Sequence, residues 1–465
     1  MKAFTFFFSQ PIVLMGAFLA ANPVLAAPAF ENNMEKTFQV TPGGKLVLQA
    51  DQGSCKVTSV QSDKVQIRVL QQVPRGTKAE ADELFANHEV TFLQDGSTVS
   101  VLANAKRKRA FSSRTSQAYL EVRYEITIPK RFDVDLKTSG GDIRVGDLEG
   151  KAKLRTASGV IDLQRATGDV NAFNSGGNIT IAEVAGELVA QTSSGFIRVR
   201  KVKGRAEISN SGGDIQVDDA EKTVVAKTSS GRIRLRSVNG DVKASNSGGD
   251  ITADLVEGDI TATTSSGSIY LAQIKGKTVN AKNSGGSIEV GAAAGGIVAR
   301  TSSGAIKIKS IKGLADLKNS GGDIEINEVG GLARAETSSG TIKIKLAKAK
   351  VEARNSGGNI EIQRCDGAVL ANTSSGLIAV GLTAQPTEGC RLEVAGGDIK
   401  LTIPGSLAMN LDAKSNGGTV QTELPVTRVV AGERKPGALQ GKINGGGPTL
   451  FLRASSGNIQ IKASR

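Results

Sequence analysis

Carboxylates and the histidine are the first candidates for chemistry, because such side chains act as catalytic acids, bases and metal ligands. Asp214, Asp250 and Asp323 each follow a glycine pair in one recurring motif, Gly-Gly-Asp. A catalytic pair should interrupt a repeat, whereas these carboxylates are part of one. His88 stands outside the repeats, near the end of a predicted helix, where we expect a solvated or capping role. The sequence therefore predicts no catalytic residues and no enzymatic activity.

The sequence also lacks the known motifs for binding a metal ion. Calcium-binding β-rolls repeat Gly-Gly-x-Gly-x-Asp, but the second Gly-x-Asp step is missing here, so we expect no calcium site. Cys55, Cys365 and Cys390 form no Cys-x-x-Cys pair, so no zinc site is predicted either. An oxidising compartment would permit a Cys365–Cys390 disulfide. Cys365 falls in a column of mostly small or aliphatic residues, which favours a buried thiol. We expect no metal and no cofactor.

Small-residue turns recur every 18 residues from Thr138 to Thr373, alternating mainly between Thr-Ser-Ser-Gly and Asn-Ser-Gly-Gly. One step, from Gly267 to Gly286, is 19 residues long, with the extra residue expected near Lys275–Lys277. Isoleucine stands two residues after the last glycine of all fourteen turns, from Ile143 to Ile378. Apolar alternation after and before each turn predicts two short strands per unit.

A single unit of this size cannot bury its own apolar face, so the units must stack. Stacked parallel strands lie about 4.8 Å apart, which predicts a parallel β-solenoid about 65 Å long. Coils of 18 residues place opposite charges next to each other, whereas coils of 36 residues would place like charges together. The decisive column reads Lys307, Glu325, Lys343, Glu361. We therefore expect 18-residue coils, in which Thr and Asn alternate along one edge and can bond to each other.

The rest of the chain differs from the repeats. Lys2, an apolar stretch over 4–21 and Val24-Leu25-Ala26 predict a signal peptide over 1–26. Residues 27–137 are expected to form a β-rich N-terminal cap region with one short helix, Thr77–Asn87, which Glu80 and Thr77 would cap. Residues 138–382 are expected to form the regular solenoid, and residues 383–465 are expected to form irregular C-terminal coils and a cap. We expect an exported chain (periplasm, cell surface or extracellular) with no transmembrane segment after cleavage.

Charge and aromatic content limit the partners. The 465 residues have a formal net charge of +13, but the alternating signs within the repeats argue against a basic stripe for nucleic acid. The basic run Lys106–Arg109 is expected to be a solvated loop, with contact to anionic lipid or polysaccharide as the alternative. The repeats contain only Phe173, Phe196 and Tyr270 as aromatic residues, so no aromatic stripe for sugars is predicted.

The motifs Ser-Gly-Gly-Asp-Ile and Ser-Ser-Gly-x-Ile-x-Val, after a strand-rich exported region, resemble the bacterial putative adhesin repeat family. The resemblance covers about residues 38–462 and implies a β-solenoid at the cell envelope or surface. Members are largely of unknown function, so the resemblance implies no site residues. We expect a structural or interaction protein whose partner is an envelope or surface component, either protein or polysaccharide. A polysaccharide-binding or polysaccharide-active β-helix is the alternative, and ice or mineral binding through the Thr/Asn edge is a third.

Overall fold

The computed structural model describes residues 30–106, 118–428 and 435–464, which form a parallel β-solenoid. These residues contain 43 strands and one helix. The predicted signal peptide over 1–26 and residues 107–109 of the basic run lie outside the described residues. Lys106, the first residue of that run, is 3.8 Å from the carboxylate of Glu89.

The N-terminal region contains eight strands and the helix. They are β1 (Phe30–Gln39), β2 (Gly44–Ala50), β3 (Ser54–Val60), β4 (Lys64–Val73), α1 (Lys78–Asn87), β5 (His88–Asp95), β6 (Thr98–Ala105), β7 (Glu121–Pro129) and β8 (Phe132–Thr138).

The repeats contribute one strand per coil to each of two sheets. The strands of the first sheet all begin at the isoleucine after the turn: β9 (Ile143–Leu148), β11 (Ile161–Ala166), β13 (Ile179–Val184), β15 (Ile197–Val202), β17 (Ile215–Ala220), β19 (Ile233–Val238), β21 (Ile251–Val256), β23 (Ile269–Ile274), β25 (Ile288–Ala293), β27 (Ile306–Ile311), β29 (Ile324–Val329), β31 (Ile342–Ala347), β33 (Ile360–Cys365) and β35 (Ile378–Leu382).

The strands of the second sheet lead into the Thr or Asn turns. They are β10 (Ala152–Thr156), β12 (Val170–Asn174), β14 (Leu188–Thr192), β16 (Ala206–Asn210), β18 (Val224–Lys227), β20 (Val242–Ser245), β22 (Ile260–Thr263), β24 (Thr278–Lys282), β26 (Gly296–Thr301), β28 (Ala315–Asn319), β30 (Ala333–Thr337), β32 (Val351–Asn355) and β34 (Val369–Ser375).

The C-terminal region adds eight strands. They are β36 (Cys390–Gly396), β37 (Ile399–Pro404), β38 (Met409–Ser415), β39 (Val420–Thr422), β40 (Thr427–Arg428), β41 (Ala438–Ile443), β42 (Thr449–Ser456) and β43 (Ile459–Ser464).

The strand register confirms the 18-residue coil. Ile306 pairs with Ile324, and Lys307 pairs with Glu325, in parallel neighbouring strands. The single 19-residue step appears where Ile260 pairs with Val279, after Val256 has paired with Ile274 at the ordinary spacing. The extra residue therefore lies between Ile274 and Val279, where the sequence predicted it.

One apolar core runs the length of the solenoid, between the two sheets. Inward residues of each strand alternate with outward ones, as in Ile306, Ile308 and the intervening Lys307. The isoleucines at strand starts are at most 1% exposed, so each removes nearly its whole side chain from water. Full burial of such a side chain stabilises a fold by about 1.5–3 kcal/mol. Because each coil supplies several such residues, stacking stabilises coils that could not fold alone.

Both ends of the solenoid interleave coils instead of following chain order. At the N-terminal end, β2 lies between β6 and β8, and β3 lies between β7 and β9. At the C-terminal end, β42 lies between β36 and β38, and β43 lies between β37 and β39. The coil of β2 and β3, near the start of the chain, and the coil of β42 and β43, at its end, are therefore each held between two other coils.

Antiparallel strands terminate the parallel stack at both ends. Strands β4 and β1 continue the first sheet beyond β7, and β5 pairs with β6 in the second sheet. Strands β41 and β40 extend the second sheet beyond β38 in the same way. Such a change of strand direction ends the parallel stacking and covers an edge that would otherwise pair with another chain.

The predicted helix and its capping box are confirmed. The Thr77 hydroxyl accepts a hydrogen bond from the backbone N–H of Glu80, and the Glu80 carboxylate accepts one from the Thr77 N–H at 2.7 Å. Ala81 is the buried helix residue, and it packs with Val73 and Ala118 in a small cluster at the N-terminal end.

Candidate binding surface

The Thr and Asn side chains of the turns point inward and are buried. All those from Thr138 to Thr373 are at most 7% exposed. Each donates a hydrogen bond to a glycine carbonyl of the preceding turn: Asn246 Nδ2 to Gly231 at 2.6 Å and Thr264 Oγ1 to Gly249 at 3.0 Å. The expectation that hydroxyl and amide bond to each other is wrong, because the backbone carbonyl between them is the acceptor. A buried column also cannot contact ice or a mineral surface.

The glycines of these turns are required by close approach. A Cβ atom at Gly249 would lie 2.3 Å from the Gly231 carbonyl oxygen, well inside van der Waals contact. The absence of a side chain lets one turn lie directly on the next. The same Gly231 carbonyl accepts the hydrogen bond from Asn246 Nδ2. The close approach of the glycines and the side-chain hydrogen bond therefore fix the same turn.

The Gly-Gly-Asp carboxylates tie three of the six Asn-type coils to the next coil. Oδ1 of Asp214 accepts from the N–H of Arg232 at 2.8 Å, and Oδ1 of Asp250 accepts from Ser268 at 2.8 Å. Asp323 accepts in the same way from Thr341 at 2.7 Å. The other three Asn-type turns have Asn178, Ser287 or Asn359 at this position, and these neutral side chains accept from a backbone N–H of the next coil in the same way.

The outward face of the first sheet displays the alternating charges. Lys307, Glu325, Lys343 and Glu361 lie opposite one another in successive strands, as predicted. The ion pairs of this sheet are exposed, with N–O distances that include 2.6 Å for Lys348 and Glu328 and 3.8 Å for Arg236 and Asp218. Exposed pairs of this kind contribute only about 0–1 kcal/mol each. This face is therefore a polar surface that contributes little to the stability of the coils beneath it.

One open groove of about 410 Å³ interrupts this face. Its floor includes Ala272 and Gly291, two successive small residues in a column that also contains Gly146, Ala182 and Gly381 and elsewhere holds Arg, Asp, Asn, Lys or Gln. Tyr270 stands at its side and is 39% exposed. Asp254 and Lys309 line it from neighbouring coils. Sequence reasoning missed this groove, although the adjacent small residues in one column were visible.

A second depression of about 520 Å³ lies beside the first coils of the solenoid. Four of its seven charged residues form ion pairs: Arg165 is 2.5 Å from Asp147, and Lys203 is 3.5 Å from Glu183. The lining contains no aromatic residue.

His88 is buried in the N-terminal region, so the predicted solvated role is wrong and the capping role is confirmed. It is 4% exposed, and its backbone N–H bonds to the Phe85 carbonyl at the helix end. Gln71 Nε2 donates to Nδ1 at 2.7 Å, and Nε2 lies 3.6 Å from Asp51 Oδ1. Burial lowers the pKa of His88 from 6.5, although Asp51 opposes the shift. This arrangement keeps a neutral imidazole within the cap.

The three cysteines are free and buried thiols. Cys365 donates through Sγ to the Gly367 carbonyl at 3.3 Å, and Cys390 Sγ accepts from the Val369 N–H at 3.4 Å. Burial raises the pKa of Cys365 to about 11 and that of Cys55 to about 12. Neutral thiols of this kind are packing residues with low nucleophilicity.

Within the described residues, no three His, Cys, Asp or Glu side chains are placed to hold a metal ion. Helix α1, the one helix of the described residues, has ten residues and is too short to cross a membrane.

The chain belongs to the Toastrack DUF4097 family, whose model matches residues 44–257, 236–364 and 349–462. These overlapping matches span nearly all of the solenoid and both of its ends. No curated protein is similar enough to this chain to count as a match.

Solved structures resemble the chain at low identity. A "putative adhesin" from Bacteroides fragilis is 17% identical, with a TM-score of 0.22, and the match covers 62% of this chain and 97% of that one. A "putative cell adhesion protein" from Clostridium sporogenes is 10% identical (TM-score 0.14; 93% and 100% covered). A "putative lipid binding protein" from Parabacteroides distasonis is 14% identical (TM-score 0.19; 80% and 96% covered). None of the three is named as an enzyme.

Proposed function

We propose that the chain is an exported, non-catalytic interaction protein that presents an elongated polar solenoid to another component of the cell envelope or surface. The observation that carries the proposal is that the inward and outward residues of each coil have separate roles. Inward residues and turns are fixed by the core and by the glycine contacts, whereas the outward columns contribute little to stability. Those columns are the part of the molecule that is free to serve binding. The predicted signal peptide supports export, and membership of the Toastrack DUF4097 family is compatible with this role.

A rod of this length suits binding through many weak contacts. Fourteen coils at about 4.8 Å each give an outward face about 65 Å long. Repeated weak contacts on one rigid body strengthen binding together, because the second contact forms at a high effective concentration.

Deletion of coil pairs tests the proposal. Removing residues 160–195 or 196–231 joins equivalent positions and keeps the order of Thr and Asn turns. We expect each variant to keep its β-sheet circular dichroism, to be shorter by about 10 Å, and to bind isolated cell envelopes more weakly than wild type. Binding that disappears with one deletion and is unchanged by the other would contradict a distributed surface.

Cell fractionation tests the location. A tagged full-length chain is expected outside the cytoplasm, and removal of residues 1–26 should retain it inside. Retention of the unmodified chain in the cytoplasm would contradict the export part of the proposal.

Polysaccharide binding is a second candidate, favoured by the groove beside Tyr270. Aromatic side chains combine a large apolar face with restricted freedom, which makes them suitable platforms for sugar rings.

A further inference from the structure

The two sheets end at different levels at the N-terminal end of the solenoid. Strands β6 and β7 lie beyond β2 and β3, one in each sheet. Beyond β7 the first sheet has two more strands, β4 and then β1, whereas beyond β6 the second sheet has β5 alone among the described residues. The first sheet therefore projects one strand further. This leaves a step that is one strand wide, beside β5 and opposite β1.

The two strands that border the step have free edges. Within the described residues, β1 pairs with β4 alone and β5 with β6 alone, and the registers are unbroken over ten and eight residues. Neither strand contains proline, and β5 contains no lysine or arginine. Proteins normally protect a free edge with such residues, with bulges or with short strands. The edge strands at the C-terminal end are short, because β39 has three residues and β40 has two. The N-terminal edges are therefore the less protected ones.

Apolar side chains around the step are partly uncovered. Met34 and Phe38 on the inward face of β1, and Val90 and Phe92 on the inward face of β5, pack against the main core but remain partly exposed. Leu93, on the outward face of β5, is 51% exposed. Apolar groups beside a free strand edge are typical of a surface to which another strand is added.

We propose that this end joins a second copy of the chain, with β1 of each copy filling the step beside β5 of the other. A two-fold axis that is parallel to the strands and lies between the sheets exchanges the two sheets, so each projecting strand meets the step of the partner. The steps match because both are one strand wide. The C-terminal end does not fit this step, because there the second sheet projects two strands, β41 and β40, beyond the level of β38 and β39.

The strand registers predict which residues meet. Met34 aligns through β4, β7 and β3 with Ile143, the first strand residue after a turn. Val90 aligns through β6 and β2 with Thr138, the last strand residue before the same turn. Because Thr138 and Ile143 close one turn, Met34 and Val90 lie at the same position along the strands. The two-fold axis therefore places Met34 beside the partner's Val90, with β1 and β5 in parallel pairing.

Charge selects the same register. With Met34 beside the partner's Val90, no like charges are directly opposite each other. The outward pairs are Asn33 with the partner's Glu89, Glu35 with the partner's Thr91, Thr37 with the partner's Leu93 and Gln39 with the partner's Asp95. A shift of two residues in one direction puts Glu31 opposite the partner's Glu89, and a shift in the other direction puts Glu35 there. Like charges directly opposite destabilise a strand pair, so both shifts are disfavoured.

The size of the contact is compatible with a stable dimer. Each copy contributes the ten residues of β1 and the eight of β5, which approaches the roughly 20–30 residues a side of a standard interface. Met34 and Phe38 of the two copies face each other across the axis, so the apolar core continues from one solenoid into the other. The joined rod presents every outward column twice, which goes beyond the proposed interaction function and does not depend on it.

The first experiment is light scattering after size-exclusion chromatography of the mature chain, residues 27–465, at a series of concentrations. We expect the mass of a dimer. Thr91→Glu should weaken dimerisation about tenfold, because it creates two pairs of like charges with the partner's Glu35. Adding Glu35→Lys should restore the dimer, while Arg68 keeps Glu125 as a partner. Thr263→Glu, at an exposed position of the interior strand β22, is the matched control and should leave the mass unchanged.

The second experiment tests the register by disulfide formation. Glu35→Cys combined with Thr91→Cys places two thiols about 4.8 Å apart across the interface, within the range for a disulfide. We expect a covalent dimer on a non-reducing gel. Glu35→Cys combined with Asp95→Cys is the control, because four residues along a strand separate the thiols by about 13 Å. Circular dichroism melting of every variant checks that the fold is retained.

Each contrary outcome overturns a stated part of the proposal. A monomer at every concentration would overturn the dimer, and a dimer that Thr91→Glu leaves unchanged would overturn its location. Covalent dimers of the control pair but not of the first pair would overturn the register. The coil deletions that test envelope binding remove residues 160–231 and leave β1 and β5 intact, so the broader function stands or fails separately.

Discussion

Replacing Asn246 by alanine should destabilise the solenoid by about 2 kcal/mol. Asn246 is 7% exposed, and its Nδ2 donates at 2.6 Å to the carbonyl of Gly231, which is itself buried. Its Oδ1 accepts from the Gly248 N–H, but that N–H also bonds to the Ser229 carbonyl at 2.8 Å. The substitution therefore leaves one buried carbonyl without a donor, and a buried unpaired polar group costs about 1–3 kcal/mol.

Two further substitutions at this position separate hydrogen bonding from size. Asn246→Thr restores a donor, as Thr264 shows in the next coil, so its cost should be about 1 kcal/mol or less. Asn246→Asp matches the size of the native side chain but puts a buried carboxylate against the Gly231 carbonyl. It should cost more than the alanine variant, about 3 kcal/mol or more, because an unpaired buried charge is added.

Urea unfolding followed by far-ultraviolet circular dichroism measures these differences. Hydrogen exchange of the two neighbouring coils is the local check, because repeat proteins can lose stability within a few units. Lys243→Ala, on the exposed side of strand β20, which leads into Asn246, is the control and should change stability by less than about 0.5 kcal/mol. The reasoning is refuted if the alanine variant is as stable as this control, or if the aspartate variant is as stable as the threonine one.

Three other predictions follow from burial. Ile306→Ala, at a position that is 0% exposed, should lower the free energy of unfolding by about 3 kcal/mol in the same urea titration, whereas Lys307→Ala should have little effect. Because burial lowers the folded-state pKa of His88 below 6.5, the unfolded chain binds the proton first as the pH falls. Stability should therefore decrease as the pH drops through about 6.5. The melting temperature should depend less steeply on pH in His88→Gln than in the wild type. Equal slopes of melting temperature against pH in the two proteins would contradict this. Because burial raises the pKa of Cys365 to about 11, iodoacetamide should label this thiol at about pH 8 only after urea is added. Protein purified without reductant should be labelled at Cys365 in urea to the same extent as reduced protein. Labelling of Cys365 in urea only after a reductant is added would indicate a disulfide with Cys390.

The regular part of the fold could be predicted from the sequence because each column reports one environment many times. The isoleucine column and the Lys307–Glu361 charge column fixed the coil length, and the structure has the same register. The location of the extra residue near Lys275 followed from the same counting. Local rules also sufficed for the helix, where Thr77 and Glu80 stand at capping-box spacing.

The features that the sequence did not predict depend on contacts between coils or on missing side chains. Polar Thr and Asn indicated an exposed edge, but their inward direction is set by the turn, and the Gly231 carbonyl compensates their burial. The placement of β42 between β36 and β38 joins segments without a shared period, so no column could show it. The groove arises from Ala272 and Gly291, whose meaning depends on the longer residues that surround them.

The interleaved ends have a consequence for how the length of such a rod can change. A coil added at either terminus would displace β2 and β3, or β42 and β43, from between their neighbours. A pair of coils duplicated or lost between β11 and β33 keeps the order of Thr and Asn turns, meets equivalent strands above and below, and leaves both ends intact. The architecture therefore favours a change of length in the interior of the solenoid. Length variants with this architecture should differ in the number of central coils and keep the same two ends.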